Sequence, residues 1–180
     1  QRFAITTLRE TWQNDRGPLD VSFVAPTSGG PFPLVIYLPG LGESTTAGRF
    51  WRSAWAAAGY AVLAVQPIEL GESFWRSTRA RAGDFHGLAR EQFAPASMPA
   101  RLQQVQFAID EIGRRARAGL APFNIADLKR VAIVGFDLGA QTALAAAGEV
   151  FVGIATDPSP LNVRGVIALS PYVDLAVGGL

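Results

Sequence analysis

The sequence predicts a three-layer α/β domain with a mostly parallel sheet, and three observations carry that prediction. Short apolar runs at residues 34–38 (LVIYL), 60–65 (YAVLAV), 131–134 (VAIV) and 163–169 (VRGVIAL) are separated by segments with helical spacing. Continuous runs of this length suit strands covered on both faces. Glycine-bearing turns follow two of them, PGLGES at 39–44 and GFDLGA at 135–140. The chain has 180 residues, 49% hydrophobic and 17% charged, which fits one globular domain spanning 1–180.

The elements follow in order. Residues 2–8 lean toward strand, and Asn14-Asp15-Arg16-Gly17-Pro18 is dense in turn formers. Residues 19–25 (LDVSFVA) alternate apolar and polar, as a half-buried strand does. A loop at 26–33 leads into the apolar strand at 34–38. Residues 49–58 place Phe50, Trp51, Ala54, Trp55 and Ala58 at helical spacing, an expected core face, and Gly59 ends that helix. With the strand at 60–65 this makes a βαβ unit, whose strands run parallel. Residues 66–96 are the least regular and read as a long excursion over the sheet edge. There Phe74 and Trp75 either line a pocket or pack the excursion down. Residues 99–117 read as a helix with Ser97 as its N-cap and Pro99 in the first turn. Arg114, Arg115 and Arg117 complement the dipole at its end and are assigned no partner. A loop at 119–127 and the strand at 131–134 follow. An alanine-rich helix at 141–147 is closed by Gly148, and the strand at 163–169 is the last element recognised.

Composition excludes several function classes. A net charge of +1 argues against a nucleic-acid surface. No apolar run reaches the ~20 residues of a membrane span. The absence of cysteine excludes thiol catalysis and thiolate zinc sites, and it is compatible with export and with the cytoplasm alike. His86 is the single histidine, so metal or catalytic sites needing two imidazoles are excluded.

The most informative segment is VAIVGFDLGAQTALAAA at 131–147. Strand, tight turn and helix follow one another, with Gly135 and Gly139 flanking Asp137. Small neighbours two residues away let strand and helix approach, and the helix start brings N–H groups beside the central side chain. The turn at Gly40 and Leu41 ends an earlier strand and can aim a backbone N–H at the same spot. Leu41 and Leu138 are therefore the candidate oxyanion donors around Asp137.

In its order and spacing of motifs, from about residue 19 to 172, the chain resembles the α/β-hydrolases. It is most similar to their dienelactone-hydrolase-like and platelet-activating-factor-acetylhydrolase-like branch. That resemblance implies a cofactor-free hydrolase acting on small ester-like acyl or alkyl substrates through a Ser–His–acid triad.

The sequence departs from the pattern in four places. Asp137 stands where serine is expected, Pro39 where histidine is common, and Glu43 where a second glycine is common. About two further strands, with the loops that bring the catalytic histidine, are absent from this chain. A second chain or a missing C-terminal segment is accordingly expected to complete the sheet and supply the imidazole. His86 precedes the place where such a base belongs and is read as an excursion residue. Asp174 is either a triad acid or a solvated loop residue.

Asp137 itself admits three readings. As a nucleophile, a carboxylate attacks saturated carbon by displacement and leaves an alkyl ester for hydrolysis. As the mark of an inactive relative, a non-catalytic binding protein, it merely caps the helix. As a serine replaced by design, it marks a disabled enzyme. A dinucleotide-binding turn is disfavoured, because Asp137 stands where that motif needs a glycine against the pyrophosphate.

Overall fold

Three of the apolar runs form the centre of a six-stranded sheet, and the fourth, at 163–169, forms its edge. The structure, a computed structural model, describes residues 2–150 and 161–171. The strands are β1 (Ile5–Trp12), β2 (Leu19–Pro26), β3 (Phe32–Leu38), β4 (Ala61–Pro67), β5 (Ala126–Phe136) and β6 (Gly165–Leu169), in the spatial order β1-β2-β4-β3-β5-β6. The pairs β4/β3, β3/β5 and β5/β6 are parallel. The pairs β1/β2 and β2/β4 are antiparallel. Helix α1 (Arg49–Ala57) makes the β3–α1–β4 crossover on one face, where Val35, Tyr37, Val62, Ala64 and Val134 form the core. Helices α4 (Met98–Arg117) and α5 (Leu138–Ala146) cover the other face over a larger core. Met98, Leu102, Val105, Ala108 and Ile112 supply the buried stripe of α4, at the three- and four-residue spacing of one helix face.

Two expectations about burial are overturned by one arginine. Strand β2 is buried on both faces rather than half-buried, and Ser22, which made it look alternating, is fully buried beneath α1. On α1 the expected core aromatics Phe50 and Trp51 are 74% and 56% exposed, whereas Arg52 and Ala56 are buried. Arg52 donates to Ser22 Oγ at 3.1 Å and to the Thr45 carbonyl, and its guanidinium lies 5.9 Å from the Tyr37 ring centroid. These polar partners rotate the helix so that a charged residue faces inward, which hydropathy spacing alone does not encode. Burial pulls the guanidinium of Arg52 down to about 10.

The excursion is also more regular than expected. It holds two helices, α2 (Thr78–Arg81) and α3 (Phe85–Phe93), and two single turns of 3-10 helix at Ile68–Leu70 and Phe74–Arg76. Ser97 takes the N-cap position of α4 without a capping bond, because its hydroxyl donates instead to the Glu91 carbonyl at 2.8 Å. Helix α5 begins at Leu138, three residues before the expected start, and β5 runs well beyond 131–134 at both ends.

The arginines at the end of α4 have specific partners. Arg114 and Arg115 both bind Glu111, and Arg115 also reaches Glu10 at 2.6 Å while lying over the rings of Trp12 and Phe123. The hydrogen bond from Arg114, reinforced by Arg115, holds the Glu111 carboxyl at about 2. A depressed carboxyl contributes stability that is present above its unfolded value of about 4.3 and is lost as pH falls through the folded value. Glu111→Gln is therefore expected to lower the melting temperature at pH 7, with the deficit shrinking from about pH 4 downward. Paired thermal melts across that range check this, and a deficit independent of pH would exclude the ion pairs as its cause.

Candidate active site

Register brings the two glycine turns together. Parallel pairing of β3 with β5 sets Leu38 opposite Gly135, so the turn leaving β3 and the turn leaving β5 emerge side by side. Leu41, Leu138 and the excursion residues Leu70, Phe74, Ala80 and Leu88 form a separate apolar cluster at these strand ends. The two predicted donors are thus anchored by their side chains under the excursion.

Asp137 adopts φ 53°, ψ −115°, a conformation that residues other than glycine rarely take. Non-glycine residues persist there only where the surroundings over-determine the backbone. The Asp137 N–H donates to the Leu169 carbonyl at 3.1 Å, and its own carbonyl accepts from Ala140 and Gln141 N–H at 3.0 and 3.2 Å. The residue is half-buried. It stands at the N-cap position of α5 but makes no capping bond, so the reading of Asp137 as a mere helix cap is not borne out. The carboxylate instead turns across to the neighbouring turn, where Leu41 N–H donates to Oδ2 at 3.1 Å. Leu138 opens α5, where no acceptor within the helix can reach its N–H.

The turn after β3 is held from several directions. Gly40 N–H donates to Glu43 Oε2 at 2.8 Å, and Glu43 N–H returns to the Gly40 carbonyl at 3.1 Å. Gly42 N–H donates to the Leu70 carbonyl at 2.8 Å. Gln66, buried at the end of β4, donates through Nε2 to the carbonyls of Gly40, Glu43 and Leu70 at 2.9, 3.0 and 3.1 Å. Gly42 has φ +78°, and a Cβ there would lie 1.7 Å from Trp75 Nε1. The Trp75 indole therefore lies directly on the turn, half-exposed, with Phe85 at 5.9 Å and the buried Phe74 at 4.8 Å between ring centroids. Of the paired aromatics, Phe74 packs the excursion down and Trp75 covers Gly42.

Behind residue 137, Arg101 supports the first turns of α5. It is buried and donates to Thr142 Oγ1 at 2.9 Å, to Gln141 Oε1 at 2.7 Å and to the Gln92 carbonyl. Thr142 Oγ1 in turn donates to the Leu138 carbonyl at 3.0 Å. Burial lowers the Arg101 guanidinium to about 10. A cavity of about 30 Å³ between β3, α4 and Gly139 has room for little more than a water, and Asp137 does not line it.

Sequence reasoning brought out Asp137, Leu138 and Leu41, which the fold places together. It missed Gln66, Arg101 and the contact of Glu43 with Gly40. Only the position of Gln66 at the end of a buried apolar strand could have flagged it. His86 is exposed in the first turn of α3, and no hydrogen bond joins it to Asp137 among the described residues. Asp174 lies outside the described residues. Among the described residues no group of three or more carboxylate, imidazole or thiol side chains is placed to hold a metal ion. No described helix is long and apolar enough to cross a membrane.

No protein-family model matches the sequence, and no curated protein matches it. Solved structures do match. A Lactobacillus plantarum protein described as a carboxylesterase aligns with a TM-score of 0.60 at 19% identity, over 98% of this chain and 64% of that one. Brefeldin A esterase, described as a bacterial homologue of human hormone-sensitive lipase, aligns with a TM-score of 0.60 at 20% identity, over 99% of this chain and 43% of that one. 2,6-Dihydroxy-pseudo-oxynicotine hydrolase aligns with a TM-score of 0.53 at 20% identity, over 78% and 33%. The chain therefore has the α/β-hydrolase fold, and it spans less than two thirds of the length of each of these proteins.

Proposed function

We propose that the chain is a hydrolase of small molecules whose reaction is centred on Asp137. The supporting observation is the strained, half-buried carboxylate at a βα turn, held through one oxygen by Leu41 N–H. Holding Oδ2 leaves Oδ1 free to displace a leaving group from saturated carbon, giving an alkyl ester of Asp137. Water then adds to the Asp137 carboxyl carbon, and the N–H groups of Leu41 and Leu138 stabilise the resulting oxyanion. The esterase and hydrolase neighbours support the hydrolase class, and the motif order favours the dienelactone-hydrolase-like branch.

Strand β6 is the edge of the described sheet, with Ile167 and Leu169 exposed along it. That edge favours completion of the sheet by a second chain or by a further segment, the proposed source of the imidazole a serine at 137 would need. Under this proposal the chain releases alcohol from a primary bromide or an epoxide and leaves p-nitrophenyl esters untouched. Asp137→Ser should lose that turnover by about 10³-fold or more. Ester hydrolysis gained only with the serine variant overturns the aspartate nucleophile in favour of a disabled serine enzyme. No turnover by either protein supports a binding protein on the same fold.

A further inference from the structure

The alkyl-aspartate reading leaves one proton without an acceptor. Displacement by a carboxylate needs no base, but adding water to the Asp137 carboxyl carbon does. Among the described residues the single imidazole, His86, makes no hydrogen bond to Asp137. The titratable group on the turn that holds the Asp137 carboxylate is Glu43. Adjacent N–H groups hold the two carboxylates, Gly40 N–H on Glu43 Oε2 at 2.8 Å and Leu41 N–H on Asp137 Oδ2 at 3.1 Å. A Cβ placed on Gly40 would lie 3.2 Å from each of those two oxygens, so they are separated by no more than twice that distance. A span of that order accommodates one bridging water. Among the described residues neither carboxylate forms an ion pair, and Glu43 Oε1 has no hydrogen-bond partner. A carboxylate fixed through one oxygen near the Asp137 carboxylate, with its other oxygen unpartnered, can take a proton from a water between them.

We propose that Glu43 is the general base of the second half-reaction, a catalytic residue acting on the hydrolytic water. This rests on the Asp137 nucleophile proposed above. In the first half Oδ1 of Asp137 bonds to the substrate carbon and the carbon–halogen bond breaks, releasing halide. In the second half the water oxygen bonds to Cγ of Asp137 while one of its protons passes to Glu43. The bond between Cγ and the alkyl-bearing oxygen then breaks. Glu43 returns its proton to that oxygen as the alcohol leaves, and the second water proton leaves Asp137 for solvent. The sum is alkyl bromide plus water giving alcohol, bromide and a proton.

The test uses the whole chain with 1-bromobutane, reading bromide release, butanol release and the intact mass of the protein. In Glu43→Gln, one bromide per chain should be released and one butyl group should accumulate on Asp137, located by peptide mapping. Steady butanol release should fall by about 10²- to 10⁴-fold. That single turnover shows that the variant is folded and its nucleophile intact. Glu43→Asp, which keeps a carboxylate, should clear the adduct faster than Glu43→Gln. If Glu43→Gln clears a butyl adduct on Asp137 as fast as the unsubstituted chain, Glu43 is not the base and the nucleophile stands. If no adduct forms on Asp137 in either protein, the nucleophile reading falls and this inference falls with it.

Discussion

Gly139→Ala is expected to destabilise the protein by about 3 kcal/mol or more, a mainly structural loss from adding one methyl group. A Cβ at 139 would lie 2.1 Å from the Leu38 carbonyl oxygen and 2.7 Å from the Pro39 carbonyl oxygen. Every one of these atoms is backbone, so no side chain can rotate away to make room. Relief would require α5 to withdraw from the end of β3. A Cβ at Gly135 would lie 2.0 Å from the Gly139 carbonyl oxygen, so that withdrawal acts on the join of β5 and α5 as well. For a chain of this size the loss corresponds to a melting temperature lower by about 10 °C. Differential scanning calorimetry of the two proteins checks it. A shift of less than about 2 °C would show that the strand end yields easily and that the close approach is not what shapes the turn.

Arg101→Met is the second large effect, again about 3 kcal/mol. Methionine fills much of the volume but donates nothing. Gln141 Oε1 loses its guanidinium partner in a buried setting and the Gln92 carbonyl in a partly buried one, and an unsatisfied buried acceptor costs about 1–3 kcal/mol. Arg101→Lys restores a charge without the planar fork that serves Thr142, Gln141 and Gln92 together, so it should recover only part of the loss. Chemical denaturation gives the ranking. Amide hydrogen exchange should show faster opening in the first turns of α5 than in β3. Equal stability of the methionine variant would mean that apolar packing around residue 101 outweighs its hydrogen bonds.

The central strands β3 and β4 were legible because they are covered on both faces and read as unbroken apolar runs, whereas β6 gives an apolar run although Ile167 and Leu169 are exposed. The turn between β5 and α5 was legible because small residues at 135 and 139 are demanded by backbone contact, which leaves a mark in the sequence. The burial of α1 was not, since Arg52 turns inward to meet Ser22 and Thr45, a contact spanning separate elements. The excursion was not, because α2 is only four residues long and α3 nine, too short for a strong periodic signal. Of the site, residues 41, 137 and 138 were readable from motif spacing. Glu43 was noted only as a departure from a pattern. Its bond to Gly40 N–H depends on the shape of the turn rather than on any neighbour in the sequence.

The single amide of Gln66 has a mechanical consequence. Its Nε2 holds the Gly40, Glu43 and Leu70 carbonyls, while Gly42 N–H is bonded to Leu70 as well. The floor that carries the Leu41 donor and the root of the wall that carries Trp75 are thereby fastened to one point on β4. Displacing the excursion at Leu70 therefore pulls directly on the turn that presents Leu41 N–H. The seating of Leu41 N–H against Asp137 thus depends on one buried amide on β4 and not on the turn alone.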